Sequence, residues 1–358
     1  MNILIVKTSA IGDVLHTLPA LACLRRQYPS AHISWLVEEA AADIVLSHPL
    51  LDQVIISRRK QWIQGFFAGN IFGTLKEIFV FIKKIRIIRY DLLLDFQGLL
   101  KSGILIACCR AVRKVGFGPG MEHSEGSYIF LNERIPPVDM NIHAVDRELL
   151  LLQAIGISCG DVDYRLYLAE QHLTRAKKLL TGHGLNLSQP FVAINPMTTW
   201  PTKHWTDTGF ALLADALIAQ GLGVVFTGGT GDREAISSIC SLMRLGKGIN
   251  VSGETDLKTL AALFSLSICV VSTDTGPMHL AAAVQAPVVA LFGPTAPWRT
   301  GPYGNFHEIV RTDIDCSPCL KKDCRFGNNK CMIGIDVNSV IFSVNKILKN
   351  IDKGCSGD

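Results

Sequence analysis

Short runs of aliphatic and β-branched residues alternate with helical patterns along the whole chain. Four runs lie in the first half, "NILIVK", "HISWLV", "QVIIS" and "DLLLDF", and four in the second, "FVAIN", "GVVFTG", "ICVVS" and "PVVALFG". Strands that alternate with helices form parallel sheets with helices on both faces. The alternation therefore predicts an α/β chain with doubly wound sheets.

The alternation stops in a polar stretch between about residues 161 and 190 and resumes at "FVAINP". A chain of 358 residues also exceeds the size at which one hydrophobic core usually splits. We therefore predict two Rossmann-like domains, over residues 1–165 and 185–335, and a C-terminal helix and tail over 336–358.

The start of the chain does not resemble a signal peptide. No basic region precedes its apolar run, no small-residue cleavage site follows it, and the charged residues Lys7 and Asp13 interrupt it. No transmembrane helix is predicted. We therefore expect the chain in the cytosol, with most of its 11 cysteines as small buried hydrophobes or thiols.

Residues 58–90 carry eight basic side chains and one acidic side chain, whereas the rest of the chain has a net charge of −3. The segment is also rich in aromatic and aliphatic residues, which fits a helix lying in the headgroup layer of an anionic membrane. A helix packed on the core with its lysines in solvent fits equally well. A nucleic-acid groove is not expected, because nothing else extends the positive patch.

The stretch "VVSTDTGPMHLAAA" predicts a phosphate site in the second half. A buried strand ends at Asp274, Thr275 and Gly276, and a helix begins there. The free N–H groups of a first helical turn bind anions, and glycine allows close approach of the ligand. His279 one turn later and the glycine-rich "FTGGTGDRE" favour a diphosphate, although Asp274 or Thr275 could instead be a plain N-cap.

A second candidate for donor binding is "FVAINPMTTWPTKHW", which places Thr199 and Lys203 in a loop after a strand. Lys203 could neutralise a leaving phosphate, with Thr199 as a hydrogen-bond donor to it. A lone surface lysine is more often solvated than functional, so this motif alone is a weak signal.

Asp13 stands where a dinucleotide-binding turn would have glycine, because the first βα turn lacks G-x-G-x-x-G. It could cap a helix over residues 14–27, or act as a general base toward an acceptor hydroxyl. A position in the first turn favours its charged form. Glu38 and Glu39, after the second strand, are alternative carboxylates.

Five motifs in order resemble those of glycosyltransferase family 9, the bacterial lipopolysaccharide heptosyltransferases. They are "VKTSAIGDVLHTLPAL", "DFQGLLKSG", "NPMTTWPTKHW", "STDTGPMHLAAA" and "ALFGPTAPWRTGPYG". The resemblance implies the GT-B fold, with two facing Rossmann-like domains. It also implies transfer of a heptose from ADP-heptose with inversion and without a metal.

The resemblance further implies a role for each candidate residue. Asp13 would be the catalytic base. The donor's sugar and diphosphate would be held by Asp274, Thr275, Gly276 and His279, with help from Thr199 and Lys203. The acceptor would be a Kdo-bearing lipid A or inner-core saccharide at the cytoplasmic face of the inner membrane. It would bind the N-terminal domain through Arg58, Arg59, Lys60 and Lys101.

Four cysteines near the end, Cys316, Cys319, Cys324 and Cys331, are close enough in sequence to suggest a structural zinc site. Their gaps differ from the usual paired knuckles, so reduced cysteines or an adventitious disulfide are the favoured alternatives.

Two other functional classes fit parts of the sequence. A nucleotide-dependent oxidoreductase would need the missing G-x-G-x-x-G. A non-catalytic nucleotide-sugar binder or membrane adaptor would not need Asp13. A glycosyltransferase that uses another nucleotide sugar also remains open, because the sequence does not identify the contacts to the base.

Overall fold

The structure, a computed structural model, describes residues 1–122 and 125–355. The chain divides into two compact units, Met1–Tyr164 and a second that begins at Arg165. The polar stretch interpreted as a junction contains a helix, Glu170–Gly182, which belongs to the second unit and packs there on the helix Leu257–Leu266. The junction itself is therefore short.

The first unit holds a six-stranded sheet in which every neighbouring pair is parallel. The strands are β1 (Asn2–Val6), β2 (His32–Glu38), β3 (Gln53–Ser57), β4 (Arg89–Asp95), β5 (Arg110–Phe117) and β6 (Glu133–Ile135). Their order across the sheet is β3-β2-β1-β4-β5-β6. The helices are α1 (Ile11–His16), α2 (Leu18–Gln27), α3 (Glu39–Val45), α4 (Arg59–Phe67), α5 (Ile71–Ile87), α6 (Leu100–Cys108) and α7 (Ala144–Ala154).

The second unit holds another six-stranded parallel sheet. Its strands are β7 (Phe191–Asn195), β8 (Gly223–Phe226), β9 (Ile249–Asn250), β10 (Cys269–Thr273), β11 (Val288–Phe292) and β12 (Glu308–Arg311). They run in the order β12-β11-β10-β7-β8-β9. The helices are α8 (Glu170–Gly182), α9 (Asp207–Ala219), α10 (Arg233–Leu242), α11 (Leu257–Leu266), α12 (Gly276–Ala283), α13 (Pro297–Thr300), α14 (Lys330–Ile333) and α15 (Val337–Cys355).

Each unit has a hydrophobic core around its own sheet. Strands β1, β7, β10 and β11 are almost wholly buried, as parallel strands covered by helices on both faces are. In the first unit Trp62, Phe81 and Ile85 of α4 and α5 join the core beside β4. In the second, Trp205 and Phe210 pack against each other and against β7.

Cysteine pairing differs in part from the expectation of thiols. A disulfide joins Cys23 of α2 to Cys159, both in the first unit. Eight further cysteines in the described part of the chain are free. Among the described helices, none combines the length and the apolar character needed to span a membrane.

Candidate functional site

Each sheet has one switch point, where the strand order reverses: between β1 and β4 in the first unit, and between β7 and β10 in the second. In open α/β sheets, ligands bind beyond the carboxyl ends of the strands at such points. The candidate base and all candidate donor residues follow one of these strands. The fold therefore places them where an α/β sheet normally has its ligand site.

Gln97, which follows β4, forms hydrogen bonds to the loop that follows β1. Its Oε1 accepts from the N–H groups of Thr8 (2.8 Å) and Ser9 (2.9 Å) and from the Thr8 hydroxyl (3.0 Å). The turn at Gln97 is itself held by Asp95, whose Oδ1 accepts from the N–H groups of Gln97 and Gly98. Gly98 has φ +69°, a left-handed conformation that favours glycine. The loop before Asp13 is thus held by the neighbouring strand end.

Asp13 lies in the first turn of α1, because the helix begins at Ile11 and not at Val14 as expected. Its Oδ2 accepts from the N–H of Ala10 at 2.9 Å, so it caps the helix from inside. The side chain also lines a cavity of about 300 Å³ with Lys7, Arg147 and Glu148. Because a carboxylate can accept several hydrogen bonds, capping and proton acceptance are compatible at this position.

A buried ion pair lies beside Asp13 in this cavity. Lys7 Nζ donates to Glu148 Oε1 and to the Phe96 carbonyl, both at 2.8 Å. Burial lowers the pKa of Lys7, but the charges of Glu148 and Asp13 outweigh it, and the pKa is raised. Burial raises the pKa of Glu148 against the opposing effect of Lys7. A fixed ammonium group therefore lies close enough to Asp13 to interact with its charge.

Two of the candidate acceptor residues converge on Glu38. Arg59 Nε lies 2.9 Å and Lys101 Nζ 3.3 Å from Glu38 Oε1, and Lys101 also contacts the Ser9 hydroxyl. Burial would raise the pKa of Glu38, but Arg59 and Lys101 outweigh it and lower the pKa. Glu38 thus forms ion pairs with two cations.

The other two candidate acceptor residues lie apart from Glu38. Arg58 pairs with Glu39 at 3.4 Å, and both side chains are largely exposed. Lys60 is exposed on α4 and joins neither pair. The structure therefore brings Arg59 and Lys101 together near the loop after β1, but does not bring Arg58 and Lys60 to the same point.

In the second unit, Lys203 and Asp274 meet at the switch point. Lys203 Nζ lies 2.7 Å from Asp274 Oδ2, and the Thr295 hydroxyl donates to the same oxygen at 2.6 Å. Lys203 also lies 4.5 Å from the centre of the Trp200 ring. Asp274 is buried, so this network holds the ammonium group in one position. Thr199 is exposed in the same loop as Lys203.

Thr275 is the N-cap residue of α12, and its hydroxyl forms no capping hydrogen bond. Thr275 therefore occupies the N-cap position without capping by its hydroxyl, and the Asp274 carboxylate is engaged by Lys203 and Thr295. Gly276 and Pro277 form the first turn, and His279 is buried one turn further on. The N–H groups of this turn are placed for an anion.

The glycine-rich turn after β8 has fewer free groups for binding a phosphate than its sequence suggests. The N–H of Gly229 already donates to Asp232 Oδ2 at 2.7 Å. Arg233 at the start of α10 pairs with Glu254 at 2.8 Å. This turn is thus closed by its own side chains.

Comparison with known proteins decides the family. The family model of glycosyltransferase family 9 (heptosyltransferase) matches residues 78–330. The lipopolysaccharide heptosyltransferase 1 of Pseudomonas aeruginosa is 34% identical over 338 residues, 91% of this chain and 88% of that protein. The chain belongs to glycosyltransferase family 9.

Solved structures agree with this assignment. The structure of E. coli heptosyltransferase WaaC with ADP matches with a TM-score of 0.77 at 26% identity, over 97% of this chain and 100% of that one. The same enzyme with ADP-2-deoxy-2-fluoro heptose matches with a TM-score of 0.72 at 26% identity, over 97% and 99% of the two chains. This family 9 chain is therefore a glycosyltransferase, and the prediction of a GT-B fold is confirmed.

The four clustered cysteines of this family 9 chain, Cys316, Cys319, Cys324 and Cys331, line one cavity of about 620 Å³. Its lining also includes Thr202 and Pro294, which neighbour Lys203 and Thr295 in sequence. Backbone N–H groups of Asn329 and its neighbours lower the pKa of Cys324. Within residues 1–122 and 125–355, no group of three or more His, Cys, Asp or Glu side chains is arranged to hold a metal ion. The cavity therefore gives no support to a zinc site.

The sequence does not predict four residues that contact the candidate site residues or their loops: Lys7, Glu148, Asp95 and Thr295. Lys7 directly follows β1, so its place at a strand end was a usable signal. Glu148 lies on α7, 141 residues further along the chain, and no local pattern links it to Lys7. Thr295 similarly meets Asp274 only through the fold.

Proposed function

We propose that the chain is an inverting heptosyltransferase. It moves a heptose from ADP-L-glycero-D-manno-heptose to the Kdo or heptose of the lipopolysaccharide inner core. The relatives support the substrates, because their names are lipopolysaccharide heptosyltransferases and one related structure holds a fluorinated ADP-heptose analogue. The observation that carries the proposal is a carboxylate, Asp13, held in a cavity at the switch point of the first sheet.

In the proposed reaction, Asp13 removes the proton from an acceptor hydroxyl while that oxygen attacks the anomeric carbon from the face opposite ADP. One displacement of this kind inverts the anomeric centre. The Ala10 N–H holds one carboxylate oxygen, which orients the group. Lys7 supplies a nearby positive charge that steadies the carboxylate electrostatically.

At the donor end, charge develops on the diphosphate as ADP leaves. We propose that Lys203, the Thr199 hydroxyl and the N–H groups of Thr275 and Gly276 stabilise that charge without a metal ion. Asp274 then acts mainly on Lys203, whose ammonium group it positions at 2.7 Å. His279, buried in the first turns of α12, contacts the donor from the same helix.

The proposed acceptor is the Kdo-lipid A or inner-core saccharide at the cytoplasmic face of the inner membrane. Arg59 and Lys101 lie beside the loop that precedes Asp13 and would pair with its carboxylate or phosphate groups. Arg58 and Lys60 are exposed on either side of Arg59 in the sequence and would contact other charges of the acceptor. This assignment makes the first unit the acceptor domain.

The experiment that tests the proposal compares Asp13→Asn with Glu39→Gln, a matched change at the exposed carboxylate after β2. A positioned base contributes about 10²–10⁴-fold to a rate, so Asp13→Asn should lower kcat by that factor. Glu39→Gln should leave kcat within about twofold, because its carboxylate lies outside the cavity. Transfer is measured with ADP-heptose and a deacylated, water-soluble core acceptor.

Titration calorimetry with ADP-heptose, ADP-glucose, UDP-glucose and NAD is run on the same proteins. Both wild type and Asp13→Asn should bind ADP-heptose in preference to the others, because the donor residues lie in the second unit. Binding of NAD, or of no nucleotide sugar, contradicts the proposal. Preference for another nucleotide sugar would keep the reaction and change the donor.

A further inference from the structure

The helices α4 and α5 each have two apolar sides, and only one of them is used by the core. Trp62, Phe81 and Ile85 point into the first unit, where the rings of Trp62 and Phe81 lie 5.0 Å apart. These residues account for the packing of both helices. They do not account for the aromatic residues on the opposite side.

The opposite side exposes a continuous set of large apolar residues. Phe67 and Phe72 flank the turn between the helices and are 88% and 90% exposed. Phe79, about two turns further along α5, is 68% exposed. We call this the α4–α5 outer face; its apolar members are Ile63, Phe66, Phe67, Ile71, Phe72, Leu75, Phe79, Val80 and Ile87. An exposed patch of this kind marks an interaction surface.

Lysines alternate with the aromatic residues on this face. Phe72, Lys76, Phe79 and Lys83 follow one another at spacings of four, three and four residues, which places them on one stripe of α5. Glu77 is the only acidic residue between positions 58 and 90. Among the described residues none forms an ion pair with Lys76 or Lys83. The stripe is therefore both apolar and uncompensated in charge.

We propose that the α4–α5 outer face docks on an anionic lipid bilayer, with the Phe67 and Phe72 rings inserted among the acyl chains and the lysines at the headgroups. Lysine side chains can lay their apolar stems along a hydrophobic surface and extend their charges to lipid phosphates. The described helices cannot span a membrane, so the face lies on the surface of the bilayer.

A protein partner fits this face less well. The centres of protein interfaces are depleted of lysine, whereas here Lys76 and Lys83 lie between the aromatic rings. A second copy of the chain would bring the same positive stripes together, because a twofold interface pairs identical patches. The charge pattern therefore selects an anionic lipid surface as the occupant.

The test is co-sedimentation with phosphatidylcholine vesicles, with and without phosphatidylglycerol. Wild type should sediment with the anionic vesicles and be released by high salt. Phe67→Ser/Phe72→Ser/Phe79→Ser and, separately, Lys76→Glu/Lys83→Glu should each lower the partition coefficient at least about tenfold, because the first removes inserted area and the second headgroup contacts. The matched controls are Phe342→Ser, at an exposed phenylalanine of α15, and Lys177→Glu/Lys178→Glu on α8.

Binding of either multiple variant at the wild-type level, or a wild type that stays in the supernatant, would overturn the proposal. So would a wild-type dimer that the triple serine variant separates while neither protein binds vesicles, since that result assigns the face to a second copy. Melting curves confirm that the variants are folded. The proposal extends the proposed function to its lipid-anchored acceptor, but the vesicle assay needs no sugar transfer. Vesicle binding without transfer to the soluble acceptor would contradict only the proposed function.

Discussion

Lys7 and Glu148 show how a residue pair can support a site without carrying its chemistry. Their ion pair is buried, with side-chain exposures of 10% and 8%. Lys7 is the ion-pair partner of the buried Glu148 carboxylate, so this carboxylate depends strongly on that ammonium group. Buried ion pairs contribute little net stability, yet removal of one partner leaves an uncompensated charge.

We therefore expect Lys7→Met to destabilise the first unit by about 3–5 kcal/mol, because Glu148 stays buried without its partner. The double variant Lys7→Met/Glu148→Leu should recover most of that loss, since it replaces the pair with apolar groups of similar size. Urea unfolding followed by tryptophan fluorescence measures both. A cost below about 1 kcal/mol for the single variant would show that Glu148 finds another partner or becomes protonated.

The sequence is informative about site residues that lie at strand ends. Asp13, Lys203 and Asp274 are identifiable because each follows an apolar run that forms a central strand, and the family resemblance adds their roles. Partners that come from distant parts of the chain, such as Glu148 for Lys7 and Thr295 for Asp274, are not identifiable. Their contacts depend on how helices and loops pack against the sheet, which no local spacing encodes.

At the scale of secondary structure, all eight apolar runs identified in the sequence form strands, because each is buried by helices. The sequence pattern does not predict strands β5, β6, β9 and β12. Strand β5, "RAVRKVGF", is basic and half exposed, so its pattern resembles a surface segment. Strand β9 has two residues, which is too short for any periodicity. The basic, exposed pattern explains the omission of β5, whereas edge position or shortness explains those of β6, β9 and β12.

The edge of the second sheet contains a group that should make stability depend on pH. His307 Nδ1 accepts from the N–H of Val288 at the start of β11. Burial lowers the pKa of His307 to about 4, against the opposing hydrogen bond to the Tyr303 carbonyl. As pH falls below about 6.5, the unfolded chain binds a proton that the folded chain does not, so stability decreases until about pH 4.

The loss over that window should approach about 3 kcal/mol, because each unit of pKa difference is worth about 1.4 kcal/mol. His307→Gln keeps a hydrogen-bonding side chain without the titration, and its stability should vary less between pH 6.5 and 4. Urea unfolding at several pH values tests this. His204→Gln, at a half-exposed histidine of the same unit, is the control. Equal pH dependence of wild type and His307→Gln would contradict the prediction.

At the scale of the whole molecule, the chain consists of two units, each with its own parallel sheet and core. The candidate donor residues all follow β7 or β10, so they belong to the second unit. A ligand that binds only the folded state stabilises it by about 2.7 kcal/mol at one hundred times its Kd. ADP should therefore raise the unfolding temperature of the second unit more than that of the first.

We expect calorimetric unfolding to show two transitions, of which saturating ADP raises one by several degrees. In Lys203→Gln the same ADP concentration should raise that transition less, because the cation that we propose lies beside the diphosphate is lost. Lys322→Gln is the matched control, since Lys322 is also a lysine over the Trp200 ring, at 5.4 Å, but is exposed. An ADP effect that is unchanged in Lys203→Gln would remove Lys203 from the donor site.

The two sheets have the same strand order when the strands of each are numbered from its own first strand, because β7 to β12 repeat the order of β1 to β6. On the proposed assignment, the loops of the second sheet bind the sugar donor and those of the first sheet bind the acceptor. Selection can then act on the two halves separately. A lineage can acquire a new acceptor sugar through changes before Arg165 while it inherits its ADP-heptose loops intact.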